Sequence, residues 1–224
     1  MNQHFSKKRD FRRLLREWVE MQASPATIHV GKHRPVYING DSADKIYFIE
    51  SGQIKLLMLS PEGKECLLGI HTAGEVFGEL CLAESKVRQE TAIAMEDSVL
   101  RTIPCETFFR HLSSNLLVEG FTQHLANRVS EQQQIIATLL TVDSEHRLGE
   151  ILLALARKLG TPDPPCLRIE HKITHEELSR MVGTTRPRIT HFLNRFRGLG
   201  LIEMSSDRRL VVNEKKLARY LSAA

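Results

Sequence analysis

The stretch THEELSRMVGTTRPRITHFLNRFR, Thr174 to Arg197, decides how the rest of the chain is read. Thr174 is followed three positions later by Glu177, a pairing in which hydroxyl and carboxylate cap each other's backbone amides and open a helix. Leu178, Met181 and Val182 then share one face at i, i+3 and i+4. Gly183 breaks the run with the tight turn that joins paired helices, and Thr184 or Thr185 can cap the second helix. Pro187 suits a first helical turn, where its missing N–H has no acceptor anyway. Ile189, Phe192, Leu193 and Phe196 supply an inner stripe. The spacing therefore predicts a helix-turn-helix.

Thr184, Thr185, Arg186, Arg188, Thr190 and His191 are left at or near the exposed N-terminal end of the second helix. In a helix-turn-helix that end enters the major groove of double-stranded DNA. Arginine is suited to the task because its fork matches O6 and N7 of guanine, while Thr and His reach phosphates or base edges. Arg195 and Arg197, further along, are expected to face phosphates or solvent. Beyond Gly200, Leu201–Met204 and Arg209–Val212 read as two short strands forming a wing, with Arg208 and Arg209 at its tip near the sugar-phosphate backbone.

Charge agrees with that partner. Arg168–Ala224 holds 12 Lys or Arg against 6 Asp or Glu, a net +6, so the remainder of a chain whose total is +4 carries −2. A solvated basic face alone gives such an excess; its coincidence with capping box, glycine turn and wing favours a polyanion.

Upstream of the reader the organisation changes twice. Phe5–Met21 carries apolar residues at helical spacing and is predicted to be an amphipathic helix. From Thr27 to Ile103, turn signals recur every 8–12 residues between β-rich runs such as Ile46-Tyr47-Phe48-Ile49, the rhythm of an all-β sandwich or barrel. From Cys105 to Leu159 helix formers dominate. Phe121, Leu125, Val129, Gln132, Ile136 and Leu139 follow steps of 4, 4, 3, 4 and 3, the seam of a coiled coil, with Gln132 as a register-fixing polar residue. A homodimer is expected. Thr141–Ser144 reads as a hinge, with Asp143 or Ser144 capping the next helix, and Gly160–Pro165 reads as a plain loop. The predicted domains are 1–142, the β-barrel with its helices, and 143–224, the winged helix.

Other classes fit poorly. The sequence contains no HExxH, GxSxG or Walker pattern, so an enzyme is not expected. No apolar run reaches the roughly 18 residues of a membrane helix. Met1–Arg16 lacks a secretory apolar core, so a cytoplasmic protein is expected. Cys66, Cys81, Cys105 and Cys166 have no CxxC spacing and read as reduced thiols.

The chain resembles the cyclic-AMP-receptor/fumarate-nitrate-regulator (CRP/FNR) family from about Val30 to its end. The resemblance is carried by Ile49–Ile54 (IESGQI), Gly74–Leu80 (GEVFGEL), Arg88 through Ala92, and Val182–Arg186 (VGTTR). It implies an α+β protein: an antiparallel jelly-roll barrel of the cyclic-nucleotide-binding type, a long dimerisation helix and a winged helix-turn-helix. It also implies a dimer on a pseudo-palindromic operator, with RNA polymerase as a further partner. Gly78, Glu79, Leu80 and Arg88 take the places of the family's phosphate cassette, with Gln89 beside them and Gln132 and Gln133 where a base would lie. Cyclic AMP or another cyclic nucleotide is the effector so implied. Gln89 and the acidic Glu90 depart from the pattern of nucleotide binders, which commonly place a small hydroxyl residue after the arginine. The alternatives are a regulator with no effector, or one responding through a thiol such as Cys81. Iron–sulfur sensing would require cysteines before Cys66, and haem sensing an axial ligand from His29, His33, His71 or His124. A cyclic-nucleotide-binding subunit acting through protein contacts is the rival from another class. It has no use for an arginine-led C-terminal helix.

Overall fold

The computed structural model describes residues 7–21, 26–59, 65–112, 115–141, 143–170, 173–207 and 209–223. The chain separates into two compact units, Met1–Glu62 with Leu67–Gln133, and Gly63–Cys66 with Gln134–Ala224.

In the first unit, α1 (Lys7–Met21) precedes eight strands: β1 (Ala26–Val30), β2 (Pro35–Tyr37), β3 (Lys45–Ser51), β4 (Gln53–Leu59), β5 (Glu65–Thr72), β6 (Val76–Phe77), β7 (Thr91–Ala94) and β8 (Ser98–Pro104). They form two open four-stranded sheets, β1-β8-β3-β6 and β2-β7-β4-β5, in place of a fully closed barrel. Alternation explains the uniformly apolar run in β3. Tyr47 and Ile49 join Ile54, Leu56, Phe77, Ala92, Ala94 and Leu100 in one core. Ile46 and Phe48, on the opposite face, pack against helices. Those helices are α1, α2 (Cys105–Leu112) and α3 (Asn115–Thr141), and they contribute Phe11, Leu15, Trp18, Val19, Phe108, Leu117 and Phe121.

This settles part of the seam expected along α3. Phe121 is buried in its own unit, 5.1 Å from Phe108 and 6.3 Å from Phe11 between ring centroids. Val118, Leu125, Val129 and Ile136 remain exposed, at steps of 7, 4 and 7. Gln132 on the same side is half-buried, and the side chain of Leu139 lies outside the described set.

The second unit holds α4 (Ser144–Leu159), β9 (Gly160–Asp163), β10 (Cys166–Ile169), α5 (His175–Val182), α6 (Arg186–Gly198), β11 (Ile202–Met204), β12 (Leu210–Val212) and α7 (Glu214–Ser222). Asp143 caps α4 by accepting from His146 N at 2.8 Å. Thr174 and Glu177 form the reciprocal capping box, and Gly183 ends α5 in the left-handed region at φ 70°. The segment expected as a loop, Gly160–Pro165, contributes a strand instead. β9 is the outermost of β11-β12-β10-β9, and Pro162, opposite Leu167, is tolerated because an edge strand can spare a donor. No helix among the described residues is long and apolar enough to cross a membrane.

Candidate effector pocket and nucleic-acid interface

The segment expected as a phosphate cassette begins at Gly78, buried and left-handed at φ 83°. A Cβ there would stand 2.9 Å from Arg88 Nη1 and 3.3 Å from Lys45 O, so both backbone and space select glycine. A 3₁₀ turn, Glu79–Leu82, follows. Arg88 does not point a free fork into this space. It is 2% exposed; Nη1 donates to Gly78 O at 2.9 Å and Nη2 donates to Lys45 O. Its guanidinium lies 4.3 Å over the ring centre of Tyr37 and 5.5 Å from that of Tyr47. Leu80 and Gln89 are exposed. The Gln89 carbonyl accepts from Asn39 Nδ2 at 2.9 Å.

Glu90 turns inward, and it is buried. Tyr37 donates its hydroxyl to Glu90 Oε1 at 2.8 Å, while Oε2 has no hydrogen-bond partner among the described residues. Burial, above all, raises the Glu90 pKa, and the nearby Glu79 adds to it; Tyr37, Arg128 and Arg88 pull the other way. Burial and the same carboxylate push the Tyr37 phenol up.

Glu79 is also buried and pairs with Arg128 of α3, Nε to Oε1 at 3.3 Å. Arg128 Nη1 donates to His71 Nε2, which leaves the ring proton at Nδ1, 3.6 Å from Glu75 Oε2. Glu75 in turn accepts from Thr72 N at 2.9 Å and pairs with Arg12 of α1. An ionic chain thus runs from α1 through the cassette to α3. Sequence reasoning missed Tyr37, Glu90's partner, and Arg128. Arg128 stands four residues before Gln132 on one helix face, a spacing that could have drawn attention to it. Gln132 is half-buried and Gln133 exposed.

Glu90→Gln is expected to raise the melting temperature at pH 7. A carboxyl whose folded pKa is raised favours folding at low pH, and that contribution fades as pH rises through the raised value. The amide avoids this loss, so its advantage should vanish below about pH 4, where both side chains are neutral. Equal melting curves of the two proteins at pH 7 would refute the assignment.

In the second unit, Ile189, Phe192, Leu193 and Phe196 bury the inner face of α6. Thr185 is its N-cap position but makes no side-chain cap bond, and Pro187 occupies the first turn. Arg186, Arg188 and His191 are exposed; Thr184 is half-buried. Arg188 lies 5.6 Å from the ring centre of Phe192, which also packs against the His191 ring at 5.9 Å. Arg186 has no side-chain hydrogen bond or ion pair among the described residues, and it is the readiest of the set to meet an anion. Thr190 is less free: Oγ1 donates to Arg186 O at 3.1 Å and meets His175 Nδ1 at 2.9 Å, tying α6 to α5.

Two other arginines are committed. Arg195 donates to Glu145 Oε2 at 3.0 Å, and Tyr220 donates to Oε1 of the same carboxylate at 2.9 Å, so Glu145 braces α6 and α7 against α4. In the wing, Arg209 pairs with Glu170 and, at 2.7 Å, with Asp207. Arg208 lies outside the described residues.

Known proteins match both halves of this arrangement. The cyclic nucleotide-binding domain family matches residues 27–115, and the Crp-like helix-turn-helix domain family matches residues 146–220. A CRP-like cAMP-activated global transcriptional regulator of Mycobacterium tuberculosis is 29% identical over 192 residues, covering 82% of this chain and 83% of its own. A global nitrogen regulator of Synechocystis is 26% identical over 229 residues, 99% of this chain and all of its own length. The structure of FixK2 from Bradyrhizobium japonicum shares the fold, with a TM-score of 0.75 at 17% identity over 87% of this chain and 96% of that one. With both domain families matched in this order, and with transcription regulators as its relatives, the chain belongs to the CRP/FNR family of transcription regulators.

Proposed function

We propose that the chain is a homodimeric, sequence-specific DNA-binding regulator that reads a pseudo-palindromic operator through α6. It acts in the cytoplasm with RNA polymerase, under control of a small effector in the cassette of the first unit. The observation that carries the reading is the N-terminal half of α6, where Thr185, Arg186, Arg188 and His191 are exposed above an apolar inner face and no acidic residue stands in the first turn. In the dimer, Val118, Leu125, Val129 and Ile136 of α3 meet their copies, and two reader helices present themselves about 34 Å apart, one turn of DNA. Arg186 reads a guanine, Arg188 and His191 sit beside it, and Thr190 chiefly positions the helix. The winged-helix domain is taken to begin at Asp143.

Selection of binding duplexes from a randomised pool, followed by fluorescence anisotropy, tests this. Affinity should fall steeply with salt, by a logarithmic slope of roughly 0.9 for each phosphate contact. Arg186→Ala should lose about 1–3 kcal/mol and relax the choice at one base pair. Equal weakening on all sequences would make Arg186 a phosphate contact only. Absence of DNA binding at low salt would favour a regulatory subunit acting through protein contacts.

The relatives are described as cAMP-activated in one case and as a nitrogen regulator in another. A cyclic nucleotide is therefore one effector class, lodged against Gly78, Glu79, Leu80, Arg88 and Gln89 with Gln132 and Gln133 nearby. A second reading, a regulator with no diffusible effector, is favoured by the Arg88 fork being engaged by Gly78 O and Lys45 O. Calorimetric titration with cyclic AMP and cyclic GMP separates them: saturable heat supports the first, and none, from protein that still binds DNA, supports the second.

A further inference from the structure

Cys81 and Cys105 stand 24 residues apart in sequence, yet their Sγ atoms are 2.7 Å apart. Cys81 lies in the 3₁₀ turn of the cassette, and Cys105 is the first residue of α2, with its N–H donating to Asp44 O at 2.8 Å. Both are half-buried free thiols, and Cys81 packs with Leu82 and Leu112 against the core beneath the helices. Neither Cys66 nor Cys166 makes a sulfur contact among the described residues.

We propose that Cys81 and Cys105 are a modification site, a dithiol that a peroxide oxidises to a reversible intramolecular disulfide fastening the cassette turn to α2. One thiolate attacks a peroxide oxygen; the O–O bond breaks, a sulfenic acid forms and the other oxygen leaves as water once protonated. The second sulfur then attacks the sulfenic sulfur, the S–S bond forms, the S–O bond breaks, and a second water leaves. Two sulfurs are oxidised, both peroxide oxygens are reduced, and the two thiol protons end in the waters. A dithiol reductant reverses the change. Burial pushes the Cys81 thiol up, which keeps its thiolate scarce and delays reaction until oxidant accumulates.

The position gives the bond something to control. The same turn supplies Glu79, the partner of Arg128 on α3, and begins at Gly78, whose carbonyl holds Arg88. Fixing Cys81 to α2 fixes that turn. The disulfide itself is independent of the DNA-binding reading, whereas its regulatory consequence rests on it.

The full chain should be treated with hydrogen peroxide, alkylated and mapped by mass spectrometry without reduction. The expected result is loss of two hydrogen atoms within one chain, a peptide joining Cys81 to Cys105, and recovery with dithiothreitol. Cys66→Ser with Cys166→Ser should behave as the parent; Cys81→Ser or Cys105→Ser should abolish the link while leaving the circular dichroism unchanged. Linkage through Cys66 or Cys166, crosslinking between chains, or Cys81 and Cys105 both still alkylatable would overturn the site. Oxidised and reduced protein should then differ at least about threefold in affinity for a selected duplex. Equal affinities would overturn the regulatory consequence alone, and failure of both forms to bind would count against the DNA reading while leaving the disulfide intact.

Discussion

Arg88→Ala should remove about 3–5 kcal/mol from the stability of the first unit, the scale expected when one partner of a buried charged network is deleted. Two carbonyls, Gly78 O and Lys45 O, lose the donors that satisfy them inside the protein. Glu90 loses a neighbouring positive charge that works against the effect of its burial. A void opens beside Tyr37 and Tyr47, over which the guanidinium now lies. Thermal unfolding without any ligand is the measurement. If Arg88 served chiefly to greet an anion, the variant would melt like the parent and lose only binding, and the structural role assigned to it would be wrong. The same result determines how nucleotide titrations are controlled, because lost heat from an unfolded variant says nothing about a phosphate.

Phe196→Ala should be as damaging to the second unit, by about 3–5 kcal/mol. Phe196 is fully buried on the inner face of α6, and its ring meets Tyr220 edge-on at 5.7 Å between centroids. Removing it hollows the contact on which the reader helix rests, with Ile189, Phe192 and Leu193 as the remaining inner residues. Calorimetry should show a transition lowered by about 15 °C or more, given a unit of this size. DNA binding should fall with it on warming, although the exposed Thr185, Arg186, Arg188 and His191 are intact. A loss under about 1 kcal/mol would mean that the core closes over the gap and that Phe196 is not its support.

The reader helix was legible because its signals are local. A capping box, a left-handed glycine and a period of 3.6 are written within a few residues, and Thr174, Gly183 and Ile189 stand as those signals require. The β rhythm was legible for the same reason. Contacts made at a distance were not. Phe121 satisfied the seam pattern, but periodicity names a face and not what covers it, and α1 brings Phe11 there. Pro162 hid an edge strand that needs no donor. Arg88 takes the cassette arginine's place in the resemblance, but its acceptors are backbone carbonyls, which every residue carries and no composition betrays. Arg128, Glu79 and His71 come from separate stretches, and only the fold unites them.

Glu145 stands two residues past the Asp143 cap, and its one carboxylate grips both Arg195 and Tyr220. The first turn of α4 is therefore tied to both α6 and α7 through a single side chain. A change in the direction of the chain at residue 143 would be met first at this shared carboxylate. One acidic residue thus joins three helices of the second unit, and its loss would loosen α6 and α7 from α4 together.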